Sequence, residues 1–265
     1  MFTEASRESS GPARGAAIAL ARFLFPSRCL AFGQRPVEGL FEGGVCPGCW
    51  DDVALPPPHR CATCDEPLAD EAAPSCGRCL LAPPAFSSLR AAAPYRGAAR
   101  QILLAFKFRG ADYLARHLAA LMVRRITLPE PPAAVTAVPA TRRARRASDH
   151  AAELLASAVA ARLRLTFVPG LIAKARETER QSRLPLSRRE KNVRGAFRAR
   201  RACRGTILLV DDVATSGATA RECARRLRWA GAESVLVWCF ARAWHGDIDL
   251  EPGAPPAERP RPATE

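Results

Sequence analysis

One segment constrains the fold of this chain more than any other, the run Ile207–Thr219. It begins with four aliphatic residues, which predict a buried strand of a parallel sheet, and Asp211 and Asp212 follow at the expected carboxyl end of that strand. Open α/β sheets bind ligands at the carboxyl ends of their strands, so the acidic pair is expected in a ligand crevice. The next residues are small and hydroxyl-bearing and open a helix near Ala220. The segment therefore predicts an α/β fold with a binding site directly after this strand.

The chemistry of the same segment predicts the class of ligand. Backbone N–H groups, hydroxyls and the positive end of a helix suit a phosphate dianion. Carboxylates repel phosphate, so the two aspartates suit sugar hydroxyls or a magnesium ion instead. A site with both features describes a phosphoribosyl group, and we assign its binding to one continuous set: Asp211, Asp212, Val213, Ala214, Thr215, Ser216, Gly217, Ala218 and Thr219.

This segment resembles the PRPP-binding signature of type I phosphoribosyltransferases. In that signature the acidic pair holds the ribose 2′ and 3′ hydroxyls, and the following loop holds the 5′-phosphate. The resemblance makes Asp211 and Asp212 the candidate catalytic residues and implies Mg²⁺ as the ion that accompanies PRPP.

Length and charge limit the remaining possibilities. The 265 residues can form one sizeable domain and a small one. The formal charge of +14 comes mainly from arginine and favours phosphate-rich partners. An arginine-rich composition can also follow from a GC-rich genome, so charge by itself does not assign a nucleic-acid partner.

Cysteine usage indicates the compartment. Six of the ten cysteines lie in Cys-x-x-Cys pairs, which are typical of metal sites rather than disulfide frameworks. Residues 16–25 are apolar, but they are too few for a membrane span, contain Arg22 and do not fit a signal peptide. We therefore expect a cytoplasmic protein without membrane insertion.

The cysteine pairs predict a small domain that is held together by metal. Two Cys-x-x-Cys turns supply four thiolates to one tetrahedral zinc ion, and the zinc set that we favour is Cys61, Cys64, Cys76 and Cys79. A second set would be Cys29, Cys46 and Cys49, but Phe32 stands where a fourth cysteine is expected. Three alternatives remain open: this site has lost its metal, it recruits another ligand, or Cys46 and Cys49 pair with Cys61 and Cys64.

Basic residues follow other predicted strands. The segment 133–139 is predicted as a short strand that ends at a proline, and four arginines come directly after it: Arg142, Arg143, Arg145 and Arg146. Together with Lys174 and Arg176 they are candidates for binding pyrophosphate or a nucleic-acid backbone. The alternative for the arginine cluster is a solvated loop, and the polar stretch after Lys174 is either a mobile lid or an exposed basic loop.

The periodicity of apolar residues places the remaining elements. Helices are predicted over 98–107, 114–125 and 220–230, and a strand is predicted over 235–240. His150 is expected at the start of a further helix. The Pro- and Gly-rich segment 246–265 is expected to be a disordered tail.

Several motifs occur in a fixed order along the chain. After the cysteine pairs come Lys107-Phe108-Arg109-Gly110, Val138-Pro139 with its arginines, the stretch from Arg146 to His150, Arg176 with Thr178 and Gln181, Asn192-Val193 with Gly195-Ala196-Phe197, and the Asp-Asp signature. In combination they resemble the ComF family of competence-associated proteins over about residues 25–244. Beside Phe32, the departures from the family pattern are Ala147, Ser148, Ala214 and Ser216.

The resemblance implies a fold and a division into domains. The fold is a type I phosphoribosyltransferase fold, in which a central, mainly parallel sheet is flanked by helices, with a small N-terminal zinc-ribbon domain. The expected parts are an N-terminal extension (1–27), a zinc ribbon that is double in the family (28–85), a phosphoribosyltransferase-like domain (86–245) and the tail (246–265).

The resemblance also implies a function in handling single-stranded DNA during natural transformation. Its expected partners are PRPP or a related ligand, single-stranded DNA, a DNA-uptake helicase and recombination proteins. Two alternatives stand beside it. One is an active phosphoribosyltransferase that acts on a nucleobase or an amine, although the sequence does not establish turnover. The other is a regulator that senses PRPP.

Overall fold

The computed structural model describes residues 28–33, 44–140, 150–176 and 191–244. The predicted N-terminal extension and tail lie outside these ranges. The described residues form the following elements in chain order: α1 (Pro47–Asp51), α2 (Gly77–Leu81), β1 (Ser88–Pro94), α3 (Gly97–Phe108), a 3₁₀ turn (Asp112–Leu114), α4 (Ala115–Arg125), β2 (Ala134–Ala137), α5 (Ala151–Leu163), β3 (Ile172–Lys174), β4 (Phe197–Ala199), β5 (Thr206–Ala214), α6 (Ala218–Trp229) and β6 (Ser234–Arg242).

A four-stranded parallel sheet forms the centre of the molecule, with the strand order β1-β6-β5-β2. The strand that begins the Asp-Asp segment, β5, lies in its interior between β6 and β2. Continuous apolar runs in β5 and β6 fit this position, because a central parallel strand is covered on both faces. The predicted mainly parallel sheet is confirmed.

Helices cover both faces of the sheet, as side-chain alternation along the strands requires. Leu208 and Val210 pack with α3, α4 and α5 in one cluster of buried side chains. Ile207 and Leu209 pack with α6 in the other cluster. By the same alternation, Asp211 belongs to the α6 face and Asp212 to the face that carries α3. None of the helices in the described ranges has the length and apolar character needed to cross a membrane.

The predicted boundaries of the central segment need two corrections. Strand β5 does not end at the acidic pair but continues to Ala214, because β6 runs beside it and Ala214 pairs with Arg242. Helix α6 begins at Ala218, two residues earlier than expected. The acidic pair therefore lies within the last residues that β5 pairs with β6. Backbone pairing holds these residues more rigidly than a loop would.

The polar stretch after Lys174 contains structure that was not predicted. Strands β3 and β4 pair antiparallel, with Lys174 opposite Phe197. Arg176 donates hydrogen bonds to the carbonyls of Asn192 (2.9 Å) and Arg194 (2.7 Å). Residues 177–190, which the sequence predicts as either a mobile lid or an exposed basic loop, lie outside the described ranges.

The cysteine-rich region packs on the outer edge of β1. The Leu89 N–H donates to the Thr63 carbonyl (2.7 Å), and the Ala91 N–H donates to Asp65 Oδ2 (3.1 Å). Trp244, just beyond β6, donates its indole N–H to the Asp65 carbonyl (2.7 Å). These bonds satisfy groups of a strand that is terminal in the described sheet, so the cysteine-rich region covers its edge.

Candidate functional site

The acidic pair on β5 meets a lysine from the end of α3. Lys107 Nζ lies 2.7 Å from Asp212 Oδ2, and both side chains are mostly buried. The Asp212 N–H donates to Asp211 Oδ1 (2.9 Å), and the Val213 N–H donates to Asp212 Oδ1 (2.6 Å). Strand β5 and the carboxyl-terminal turn of α3 thus bring two carboxylates and one ammonium to one place.

Burial and neighbouring charges shift the pKa values of Asp211 and Lys107. Burial and the neighbouring Asp212 charge raise the pKa of Asp211 to about 8, against the lowering effect of Lys107. Burial lowers the pKa of Lys107, but the charges of Asp212 and Asp211 outweigh it, so the net shift is upward. At neutral pH Asp211 is therefore largely protonated beside a charged Lys107, and a cation or a hydroxyl donor would favour ionisation of Asp211.

The loop after β5 has the geometry of an anion site. Gly217 has φ +73°, a conformation that favours glycine, and it directly precedes the first residue of α6. Ser216 is buried, and its hydroxyl accepts a 3.4 Å hydrogen bond from the Ala218 N–H. A helix N-terminus directs backbone N–H groups and positive dipole toward such a loop, so residues 215–219 can take a phosphate.

The cysteine-rich region contacts this loop from the outside. Arg78, in α2 between Cys76 and Cys79, donates a 3.3 Å hydrogen bond to the Ser216 carbonyl. Arg221, in the first turns of α6, donates to the Ala82 carbonyl (3.2 Å) and lies 4.0 Å from Cys79 Sγ. The loop and the helix behind it are thus fastened to one cysteine cluster.

That cluster has the arrangement of a tetrahedral zinc site. It consists of four cysteines whose sulfur atoms lie within 4.8 Å of one another: Cys61, Cys64, Cys76 and Cys79. The Cys64–Cys76 sulfur distance is 3.6 Å, near the ~3.8 Å that Zn–S bonds of 2.3 Å give in a tetrahedron. Burial raises the pKa of the Cys61 thiol, but backbone N–H groups, that of Cys64 foremost, bring it down to about 6. The donor set fits zinc.

A second cluster contains Cys29, Cys46 and Cys49. The Cys29 and Cys49 sulfurs are 3.6 Å apart, and the Cys46 N–H points to Cys29 Sγ (3.4 Å). No fourth Cys, His, Asp or Glu in the described ranges joins them, and Phe32 packs against the hydrophobic core instead. The grouping does not pair Cys46 and Cys49 with Cys61 and Cys64, which leaves loss of the metal or recruitment of another ligand as the alternatives.

Two of the six predicted basic residues lie in the described ranges. The four arginines Arg142, Arg143, Arg145 and Arg146 lie outside the described ranges. Lys174 is the last residue of β3. Its positive charge acts against the burial that raises the pKa of the Cys223 thiol, which lies in α6 on the Asp211 face of the sheet. Arg176 binds the backbone carbonyls described above, which gives its guanidinium a structural role at the base of the polar stretch.

Sequence reasoning missed Lys107 as a site residue. It was noted only as part of the Lys107-Phe108-Arg109-Gly110 motif, with no role attached. The signal that could have found it is its position at the carboxyl end of an amphipathic helix, where a basic side chain beyond the apolar stripe reaches the edge of the sheet. Its partner, Asp212, could not be inferred, because the pairing depends on how α3 packs on the sheet.

Comparison with known proteins identifies the family. A family model described as a double zinc ribbon domain matches residues 20–80. The chain is 33% identical over 190 residues to the DNA utilization protein YhgH of Salmonella typhimurium, with 69% of this chain and 83% of the relative covered. It is 27% identical over 216 residues to competence protein F of Haemophilus influenzae, with 76% of this chain and 92% of the relative covered.

Among solved structures, the chain is similar to glutamine PRPP amidotransferase from B. subtilis. The TM-score is 0.34 at 23% identity, and the match covers 49% of this chain and 26% of that protein. The family assignment comes from the sequence relatives and from the double zinc ribbon. The chain belongs to the ComF family, which joins a double zinc ribbon to a type I phosphoribosyltransferase domain.

Proposed function

We propose that this protein binds PRPP with Mg²⁺ at residues 211–219 and handles single-stranded DNA during natural transformation. The names of its relatives support the DNA part, since one is a DNA utilization protein and another a competence protein. The PRPP part rests on one observation: two carboxylates and Lys107 lie next to a loop with the geometry of a phosphate site.

The two parts of this site bind different groups of the ligand. The loop before α6 takes the 5′-phosphate through backbone N–H groups and hydroxyls, while Asp211 and Asp212 accept hydrogen bonds from the ribose hydroxyls. Lys107 offsets the charge of Asp212, so that the acidic pair does not repel the phosphates. Asp211 and Asp212 also supply the oxygen ligands that Mg²⁺ prefers, and the ion would neutralise pyrophosphate oxygens when bound.

Calorimetric titration of the zinc-loaded protein with PRPP and Mg²⁺ tests this proposal. We expect saturable binding by the wild type and at least a tenfold loss in Asp211→Asn/Asp212→Asn, since two ligand-facing carboxylates would be removed. The matched control is Asp51→Asn/Asp52→Asn, which changes a second pair of adjacent aspartates, both of them exposed. Equal affinity of both variants would place the ligand elsewhere, and no binding by the wild type would reject the PRPP site.

A second candidate function is transfer of the phosphoribosyl group to a nucleobase or an amine. The Lys107–Asp212 pair beside Asp211 favours it, because these groups can position a ribose and stabilise charge next to it. The bond between ribose C1′ and pyrophosphate would break, a bond from C1′ to the acceptor nitrogen would form, and that nitrogen would lose a proton. Pyrophosphate release that depends on both an acceptor and Asp212 would establish turnover.

A further inference from the structure

A row of exposed arginines runs beside α6 on the face of the sheet that carries Asp211. We call it the arginine band and define it by six residues: Arg194, Arg198, Arg200, Arg201, Arg204 and Arg228. All six are exposed in the structure, and five of them lie within the short segment that contains β4. None of them belongs to the set that the sequence suggests for binding pyrophosphate or a nucleic-acid backbone, although Arg194 lies in the polar stretch after Lys174.

Backbone contacts hold this segment along the helix. The Gly195 N–H donates to Glu222 Oε1 (2.9 Å), and the Cys203 N–H donates to the Ala230 carbonyl (2.7 Å). Between Glu222 and Ala230 the helix advances about 12 Å at 1.5 Å per residue. At 3.4 Å per stacked nucleotide this is the length of about three or four nucleotides. The arginines are therefore presented from an ordered backbone rather than from a free loop.

Four arginines of the band have no partner for their side chains in the described part of the chain. Glu222 is buried and receives its salt bridges from Arg225 and Arg226, which leaves nothing for the band. Within the described ranges, no hydrogen bond or ion pair involves the side chain of Arg198, Arg200, Arg201 or Arg204, whereas Arg228 donates hydrogen bonds to the carbonyls of Ala232 (2.8 Å) and Glu233. Guanidinium groups without a protein partner are suited to bidentate contacts with phosphate.

An exposed aromatic side chain lies at the end of the band. Trp229, the last residue of α6, is 67% exposed. The guanidinium carbons of Arg225 and Arg226 lie 4.8 and 4.7 Å from its ring centroid and hold the indole in place. The Cys203–Ala230 hydrogen bond brings the segment with the unpaired arginines to the end of the helix that carries this exposed indole. The surface therefore combines the two elements that recognise single strands, a charged track for the backbone and an aromatic ring for stacking a base.

We propose that the arginine band and Trp229 form a binding surface for single-stranded nucleic acid. The inference rests on the proposed DNA function and deepens it by naming the surface. The band arginines contact successive phosphates, and Trp229 contacts one base by stacking. An acidic protein segment would satisfy the arginines but would leave the exposed indole without a stacking partner, so the nucleic acid fits the surface better.

Fluorescence anisotropy with a labelled oligothymidylate tests the surface over a range of salt concentrations. For Arg200→Gln/Arg201→Gln we expect about tenfold weaker binding and a salt slope that is smaller by roughly 1.4, since each lost single-strand phosphate contact removes about 0.7. The matched control is Arg116→Gln/Arg162→Gln, two exposed arginines on helices that cover the opposite face of the sheet. That control should keep the wild-type slope, apart from a small effect of net charge.

Intrinsic fluorescence gives a second readout that charge does not control. Oligothymidylate should quench the emission of the wild-type protein, and the quenching should be lost in Trp229→Phe while most of the affinity remains. If the wild type binds the oligonucleotide and the band variant has the affinity and salt slope of the control, the proposed surface is wrong but the DNA function stands. No wild-type binding would reject the DNA function and the surface together. Binding of polyglutamate to the band with unchanged Trp229 emission would indicate an acidic protein partner and would also overturn the inference.

Discussion

Asp211 and Asp212 are adjacent in sequence, but they have different neighbours. Asp212 Oδ2 lies 2.7 Å from Lys107 Nζ, whereas the carboxyl group of Asp211 is buried beside the carboxylate of Asp212. Burial and the charge of Asp212 raise the pKa of Asp211 to about 8. Asp212 therefore has an ionic partner within the protein, whereas the ionisation of Asp211 responds to what enters the site.

The raised pKa of Asp211 predicts how stability changes with pH. The folded protein binds a proton at Asp211 up to about pH 8, while the unfolded chain releases it near pH 4, so raising the pH through this window destabilises the fold. Asp211→Asn removes the effect. We expect the variant to match the wild type near pH 4 and to be more stable at pH 8 by up to about 5 kcal/mol, since the pKa differs by about four units at 1.36 kcal/mol per unit. Urea unfolding across this pH range measures the difference, with Asp51→Asn as the control, and a gap that does not change with pH would contradict the assignment.

At the scale of elements, the loop at residues 215–217 is supported by a helix that belongs to the zinc ribbon. Helix α2 carries Arg78 between two zinc-binding cysteines, and Arg78 binds the Ser216 carbonyl. Arg221 joins α6 to the same cluster through Ala82 and Cys79. The conformation of the loop therefore depends on contacts that come from more than a hundred residues away in the chain.

This arrangement predicts that Arg78 is a positioning residue for the loop. Arg78→Ala should raise hydrogen exchange of the 213–220 amides and weaken PRPP binding by about three- to tenfold, which corresponds to one lost charged hydrogen bond at a partly exposed site. The exchange readout does not require that PRPP binds. Arg78→Lys should recover part of the effect, and Arg162→Ala, on α5, should have none. Unchanged exchange in Arg78→Ala would show that the contact is incidental.

The sequence predicted the elements with strong local signals and missed those that depend on packing. The apolar runs of β5 and β6 and the helical stripe of α3 identified those elements correctly, because burial on both faces or on one stripe leaves a periodic pattern. The short β3–β4 pair has no such pattern and exists because its strands meet in space. The Lys107–Asp212 pair and the contact of Arg78 with Ser216 are likewise tertiary contacts. Sequence motifs could identify the segments that take part, but not which residues contact each other.

At the scale of the whole molecule, the cysteine clusters tie the ribbon to both faces of the sheet. Cys29, Cys46 and Cys49 belong to the buried cluster that contains α3, α4 and α5. Cys61, Cys64 and Cys79 belong to the buried cluster that contains α6. Between them, Thr63 and Asp65 bind the edge of β1. The ribbon is thus part of the hydrophobic core rather than an appended module.

Loss of zinc from the four-cysteine cluster should therefore destabilise the sheet as well as the ribbon. We expect Cys61→Ser to lower the free energy of unfolding by several kcal/mol, since structural zinc contributes directly to folding. Cys46→Ser, in the three-cysteine cluster, should cost less. Chemical denaturation with zinc quantification by mass spectrometry measures both variants. Retention of wild-type stability in a zinc-free Cys61→Ser protein would refute a structural role for the ion.

The bonds from Thr63 and Asp65 to β1 have a consequence for newly made copies of the chain. We expect a copy that has not yet acquired its metal to lack the ordered turn that covers β1, and an uncovered strand edge can pair with the same edge of another copy. Such copies would be lost to self-association and proteolysis rather than persist as inactive protein. The supply of zinc would then set how much of the protein a cell keeps, before any ligand or DNA strand is encountered.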